Sequence, residues 1–306
     1  NGLKILPRNP SSFTPTGDGK HLMLGPDQTF NQQQIAKFSQ RDAERYPQYE
    51  ALLEAVADQL EPILSQPAPD LLPLPKSWRS IGWAKRMQDL RTGMQLRRRL
   101  AALGKHLPEA LELLTAAARP VLERWFESDV LRATLATDAV IGAFASVSAP
   151  GTAYVLLHHV MGTAGGARGV WGYVEGGMGG IADSMWRVCE QLGVELVKEC
   201  EVSQILTKSG RVVGVLDKAE RHYEGKVVAS TIDAHWTFER LLEPQELPEE
   251  FRNAVSRIDY ASATTKINLA LSELPDFRCL PGTEVGPQHR GTIHICDSID
   301  WLERAY

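Results

Sequence analysis

Cysteine is scarce in this chain of 306 residues: Cys189, Cys200, Cys279 and Cys296 are the four, and none forms a C-x-x-C pair. That spacing speaks against a zinc ribbon or a thioredoxin-like redox site, and the plain reading is reduced cysteines in an intracellular protein. Long apolar runs are missing too. There is no stretch of about 18 apolar residues and no visible signal peptide, so nothing in the sequence is built to span a membrane. G-x-S-x-G, H-E-x-x-H and Walker sequences are absent. So are internal repeats and low-complexity tracts. An excess of positive charge is lacking as well. The net charge is −5 and the isoelectric point about 6.0, which argues against nucleic acid as a main partner.

Hydrophobic residues make up 43% of the chain and charged residues 23%, enough to bury a core in one large domain or two ordinary ones. The chain starts at Asn1 without a methionine and stops at Tyr306 inside a helix-like pattern. We therefore expect the interior of a longer protein.

Residues 1–30 read as strands. Leu3–Leu6 and His21–Leu24 flank turn chemistry at Asp18-Gly19, and Pro7, Pro10 and Pro15 keep the first strand short or at an edge. Residues 31–146 read as helical, with breaks expected at Pro47 and Pro62 and an irregular proline-rich segment at 66–75. The basic run from Lys85 to Lys105 reads as a solvated helix face. Helical patterns follow at 109–118, 120–128 and 130–145, with Pro120 in a first turn and Ser128-Asp129 as a cap. Residues 153–160, which include the adjacent His158 and His159, form an apolar run of undecided type. A glycine-rich loop occupies 162–169. Adjacent histidines point apart, so a packed or surface pair is favoured over a metal site. Asp138, in an otherwise apolar helix, must be paired, cap a helix or face a cavity, with a structural role preferred.

Residues 171–242 carry the most local structure. Gly177-x-Gly179-x-x-Ala182 nearly matches the dinucleotide fingerprint, in which glycines let a pyrophosphate approach a helix N-terminus. An amphipathic helix follows, with Met178, Ile181, Ala182, Met185, Val188, Cys189 and Leu192 on one face and Gly193 as its stop. Val194–Val197 then reads as a strand, and Glu199 or Glu201 stands where a ribose-binding acid belongs. Glu175, Gly176 and Gly172 spoil the match, because the preceding strand should be continuous and apolar. A tight helix entry is therefore the favoured reading of the cluster. A strand–turn–strand unit spans 200–216, and 226–231 reads as a buried strand ending in Ser230-Thr231, with Asp233 as the next helix cap. Residues 263–271 and 292–296 read as further strands. The pattern predicts a mixed α/β protein, with strands bracketing a helical block and an α/β piece at 171–242.

The order GYV-x-GGMGG, amphipathic helix, GVELV, the Val202-x-x-Ile205 strand, a turn and VVAST-x-D resembles the phytoene-desaturase-like branch of the flavin amine-oxidase superfamily. The strings LMLGPD (22–27), LRATLATDAVIGA (131–143), YVLLHHVMG (154–162) and TKINLAL (265–271) extend that resemblance over nearly the whole chain. It implies part of a two-domain, FAD-binding oxidoreductase fold. Residues 1–30 and 243–306 would be substrate-domain strands, 31–165 a helical substrate-domain insertion and 166–242 a segment of the FAD-binding domain. The fingerprint proper and a C-terminal flavin-contacting segment would both lie outside 1–306.

By the same resemblance, Val202 meets the adenine of FAD through backbone groups, and Ser230 and Thr231 lie close to the cofactor. Gly176 and Gly177 approach the flavin region. The implied chemistry is hydride transfer between flavin and an unidentified small-molecule substrate, with no metal and no assigned catalytic residue. The apolar helical block suits a hydrophobic substrate and equally suits an ordinary core. The implied compartment is the mitochondrial matrix in an animal and the cytoplasm in a bacterium. Two alternatives stand beside this reading: a flavoprotein-like scaffold without activity, and a helical interaction protein.

Overall fold

The computed structural model describes residues 2–70, 82–164, 167–262 and 264–306. Residues 71–75 of the proline-rich segment, Gly165-Gly166 of the glycine-rich loop and Ala263 of the expected 263–271 strand lie outside the described residues. The fold is mixed α/β, and the chain divides into two units, residues 3–180 with 262–306 and residues 181–261 with 1–2.

In the larger unit, Asp18-Gly19 turns the chain as the sequence predicts. Gly19 adopts a left-handed φ of 82° and the Thr16 amide donates to the Lys20 carbonyl at 3.0 Å. The turn joins β2 (Ser12–Pro15) to β3 (His21–Leu24), not Leu3–Leu6 to β3. β1 (Ile5–Pro7) instead pairs with a distant segment, Gly172–Val174. Phe13 and Leu22 are fully buried in the hairpin.

Two capped helices follow, α1 (Gln28–Ala36, capped by Asp27) and α2 (Gln40–Leu64, capped by Ser39). Pro47 does not break α2. A proline inside a helix leaves the carbonyl four residues earlier without its donor. Here that carbonyl, on Ala43, accepts a bond from the Gln32 side-chain amide at 3.2 Å. Pro62 lies in the last turn, and the helix ends two residues after it, as the sequence predicts. Along α2 the buried residues Tyr49, Leu52, Leu53, Val56, Ala57 and Leu60 recur at three and four, and this stripe faces the core.

Next come α3 (Trp83–Ala102), α4 (Leu107–Thr115), α5 (Ala118–Trp125) and α6 (Asp129–Ala136). Residues 140–145 form turns where a helix was expected. Ser128 precedes α6, but its side chain makes no cap bond. Asp42, fully buried on α2, supplies the acceptor instead. Its carboxylate takes the Glu127 amide at 2.9 Å and the Ser128 amide at 2.8 Å. The undecided run at 153–160 is α7 (Thr152–Met161). Two short hairpin strands follow, β4 (Thr163–Ala164) and β5 (Ala167–Arg168), and then β6 (Gly172–Val174), the partner of β1.

The glycine cluster leads into α8 (Gly179–Gln191), which crosses the boundary between the units. The smaller unit continues with a three-stranded antiparallel meander, β7 (Val202–Lys208), β8 (Arg211–Asp217) and β9 (His222–Glu224). Gly214 has to be glycine, because a Cβ there would collide with the Tyr223 carbonyl oxygen. Asp217 closes the β8–β9 turn by accepting from the Ala219 and Arg221 amides, each at 2.9 Å, and from Arg221 Nε at 2.7 Å. A single π turn (Trp236–Arg240) and α9 (Glu249–Val255) end this unit. Asp233 does cap the turn, accepting from the Trp236 amide at 2.9 Å.

Back in the larger unit, β10 (Thr292–Ile293) runs parallel to β2, giving the order β10-β2-β3. α10 (Ile299–Ala305) buries Ile299 in the helical core.

Three expected strands are not formed. Residues 194–197, 226–231 and 264–271 are irregular, and Val227, Ile267 and Leu269 are about as exposed as side chains become, at 83%, 72% and 75%. A strand exists only where a neighbour takes up its amides and carbonyls, and these segments have no such neighbour among the described residues. The apolar face of α8 is exposed in the same way at Met178, Met185 and Leu192.

Candidate active site

The larger unit holds a partly open cavity of about 450 Å³. α2 lines one wall, and its helical spacing brings Tyr46, Tyr49 and Glu50 to the same side. The turn after α6 contributes Asp138, α7 contributes Leu156 and Val160, and the segment after β10 contributes His294. Sequence reasoning left Asp138 open among pairing, capping and facing a cavity. The structure places it on the cavity wall.

Five of the titratable groups here, Tyr46, Tyr49, Glu50, Asp138 and His294, are shifted toward neutrality by removal from water. Burial raises the Asp138 carboxyl, against the pull of His159. It also raises Glu50, against hydrogen bonds from Tyr46 and Gln28. Both phenols are pushed up by burial, Tyr46 with help from Glu50 and Tyr49 with help from Asp138. Burial lowers His294 to about 4, so at neutral pH the ring is uncharged.

The tautomer of His294 follows from its neighbours. The Thr134 hydroxyl gives its proton to the Val130 carbonyl at 2.8 Å, so at the 2.8 Å contact between Thr14 and Thr134 the donor is Thr14. With the Thr14 proton committed, the 3.4 Å contact between Thr14 Oγ1 and His294 Nδ1 requires the ring to donate. Nδ1 therefore carries the proton and Nε2 keeps a lone pair.

One hydroxyl on the wall has no partner. Tyr49 is 2% exposed, yet its oxygen makes no hydrogen bond among the described residues. An orphaned polar atom is costly to bury, so a ligand group that reached this oxygen would relieve that cost. Arg168 also lines the cavity. Its guanidinium is engaged by Asp58 at 2.7 Å and Glu61 at 2.9 Å. The wall thus offers two protonatable carboxyls, a free phenol and an imidazole lone pair, which suits holding and moving a proton beside a substrate.

None of the site residues proposed from sequence lines this cavity. Gly176 and Gly177 sit in the loop before α8, both with left-handed φ (78° and 95°). The Gly177 amide is bonded to the Val174 carbonyl at 2.9 Å and the Gly180 amide to the Gly177 carbonyl at 3.0 Å. Those amides are therefore not free to cradle a phosphate, in keeping with a tight helix entry and not a fingerprint. Glu201, one of the two ribose-acid candidates, forms an ion pair with Lys218 at 2.6 Å.

Val202 opens β7, half-buried, in register with Asp217. Ser230 and Thr231 are exposed, and the Ser230 hydroxyl bonds that of Thr237 at 2.7 Å. His159 Nδ1 lies 2.8 Å from the Val155 carbonyl, and its ring stacks on Trp171 at 5.7 Å. Sequence reasoning missed Tyr46, Tyr49, Glu50 and His294. The three α2 residues carried a signal, two phenols and a carboxyl at i, i+3 and i+4 on an otherwise core-facing stripe. His294 carried none, because its partner Thr14 lies 280 residues away.

No known family profile matches the chain. A rat protein, pyridine nucleotide-disulfide oxidoreductase domain-containing protein 2, is 37% identical over the whole of this chain and 54% of its own length. Its mouse counterpart is 36% identical over the same span. This chain resembles that protein from end to end. It spans about half the length of those curated relatives. An uncharacterised protein of Mycobacterium tuberculosis is 28% identical over 73% of the chain. A chloroplastic prolycopene isomerase of an Oncidium orchid is 35% identical over 26% of it.

Proposed function

We propose that this chain is part of an FAD-dependent oxidoreductase whose substrate occupies the cavity of the larger unit. The observation that carries the reading is the unpartnered Tyr49 hydroxyl on the wall of a cavity lined by Asp138, Glu50 and His294. It is supported by likeness, over the full chain, to proteins named for an oxidoreductase domain.

In this reading residues 166–242 are a segment of the FAD-binding domain, and 1–30, 31–165 and 243–306 build the substrate domain. The fit to FAD is partial. By the resemblance, Val202 at the start of β7 would meet the adenine through its backbone, and Ser230 and Thr231 would lie close to the cofactor. The Gly177 and Gly180 amides are already bonded, so the pyrophosphate must be held by residues other than Gly177 and Gly180. Gly176 and Gly177 then serve as the close approach of backbone to the flavin region.

When bound, the flavin supplies the two-electron acceptor. The chain's own residues bind the substrate, exclude water and manage the proton. Tyr49 donates to a substrate heteroatom. His294 Nε2 would accept the one proton that the substrate loses along with its hydride and release it to solvent, as its low pKa favours, while Asp138, held protonated more readily than a surface acid, would donate a hydrogen bond to the substrate.

Purification of the full-length protein containing this chain tests the proposal. Flavin absorbance that bleaches with a reducing substrate is expected, and a full-length protein without flavin overturns the reading. Tyr49→Phe should leave stability within about 1 kcal/mol of wild type, since no bond is lost, while lowering kcat/KM at least ~10-fold. A variant with undiminished turnover would remove Tyr49 from the site.

A further inference from the structure

α3 carries two apolar faces, and only one is used. The inner face is marked by buried Asp89 and Leu103 just past the helix end, with Leu100 packed against the core. On the opposite side Trp83, Met87, Leu90 and Met94 recur at spacings of four, three and four, which places them on one stripe about 17 Å long. Trp83 is 76% exposed, and Leu90 and Met94 are each 54% exposed.

The edges of that stripe are basic. Arg91 and Arg98, seven apart, run along one side, and Arg97 runs along the other. Arg91, Arg97 and Arg98 are all exposed. The single acid of the helix, Asp89, is turned inward and paired with Lys85 at 3.1 Å. The outer half of α3 is therefore uniformly cationic in a chain whose net charge is −5.

We infer that the outer face of α3 docks the protein onto an anionic phospholipid bilayer, lying in the plane of the interface. An apolar stripe ending in a tryptophan, with arginines along both edges, matches the layering of that interface. Leu90, Met87 and Met94 enter the acyl boundary, Trp83 sits at headgroup depth, and the arginines reach lipid phosphates on either side. Charge complementarity selects this occupant. A protein groove would need acids along both of its rims to receive the same face, whereas an anionic leaflet presents them in every direction. No helix among the described residues is long and apolar enough to cross a membrane, so the contact is peripheral.

The test is co-sedimentation of the full-length protein containing this chain with vesicles of equal parts phosphatidylglycerol and phosphatidylcholine, and with vesicles of phosphatidylcholine alone. Binding to the anionic vesicles only, weakened by salt, is expected. Leu90→Glu with Met94→Glu, and separately Arg91→Glu, Arg97→Glu and Arg98→Glu together, should each lower the partition coefficient at least ~10-fold. Unchanged thermal melts would show that these variants remain folded. Brominated acyl chains should quench tryptophan emission in wild type, and Trp83→Phe should lose most of that quenching.

Three results overturn the inference. The first is equal sedimentation with both vesicle types. The second is a Leu90/Met94 variant that binds like wild type, which would reduce the contact to charge adsorption. The third is a Trp83 already shielded from iodide without vesicles, which would mean that another part of the full-length protein covers the stripe.

Discussion

The two units solve the burial of apolar side chains in opposite ways. In the larger unit a continuous cluster runs through α1, α2, α4 to α7 and α10, and Leu122, Leu157 and Val56 are wholly removed from water. In residues 181–261 the buried hydrophobic residues are Ile205, Leu241 and Val255. Sequence composition does not separate them, since Val194–Val197 and Val227–Ala229 are as apolar as most of α7. The difference lies in reach. A helix satisfies its own backbone and needs only one face covered, whereas an extended segment must find a partner for every amide it buries. Local hydrophobicity therefore marks what a segment can do, and topology decides whether it does it.

The largest effect expected from that contrast is in amide hydrogen exchange. Amides of α2 and α7 should exchange several orders of magnitude more slowly than those of 194–197, 226–231 and 264–271. In the full-length protein those three segments should gain protection if strand partners lie elsewhere in it. Equal exchange of α2 and α7 with 194–197 and 226–231 in the 306-residue chain would erase the distinction between the units, and equal exchange with 264–271, which lies inside the larger unit, would erase that between its helical core and its unpaired segment.

Next in size is Asp42→Ala. It strands the Glu127 and Ser128 amides inside the larger unit and should cost about 3 kcal/mol in denaturant unfolding. A loss under about 1 kcal/mol would show that this junction is not what holds α2 to α6.

A smaller effect concerns pH. His294 is depressed from 6.5 to about 4 by burial, so between those values the unfolded chain takes up the proton that the folded one refuses. Stability should therefore fall as pH drops from about 6.5 to about 4, by on the order of 2 kcal/mol. His294→Asn should flatten that slope, and an unchanged slope would place the effect on another group. The smallest effect is that of Gln32→Ala. It leaves the Ala43 carbonyl without its substitute donor and should cost about 0.5–1 kcal/mol, visible as a lowered Tm.

Much of the fold was legible because its signals are local. The Asp18-Gly19 turn, the caps at Asp233 and the 200–216 hairpin all follow from residues within a few positions of one another. Pro47 misled because its remedy, Gln32, sits on a different helix. The same limit explains the site. Asp138 announced itself as an acid among apolar neighbours, and α2 set its polar residues at helical spacing, but the cavity that unites them with His294 exists only once β10 lies beside β2. Val202, Ser230 and Thr231 rest on resemblance alone, and no feature of their local sequence marks them as a site.

The return of the chain through β10 and α10 also imposes an order of events on synthesis. Ser146 and Ser148 both donate to Glu303, at 2.6 and 2.5 Å, and Arg119 meets Asp300 at 2.8 Å. The helical core thus receives α10 only after all of residues 181–261 have left the ribosome. At roughly 5–20 residues per second, a nascent chain whose first helices are complete waits on the order of ten seconds with the groove for α10 still open. During that interval Val147 and its neighbours are within reach of chaperones and of other chains, and a stop codon placed before residue 299 would make that exposure permanent.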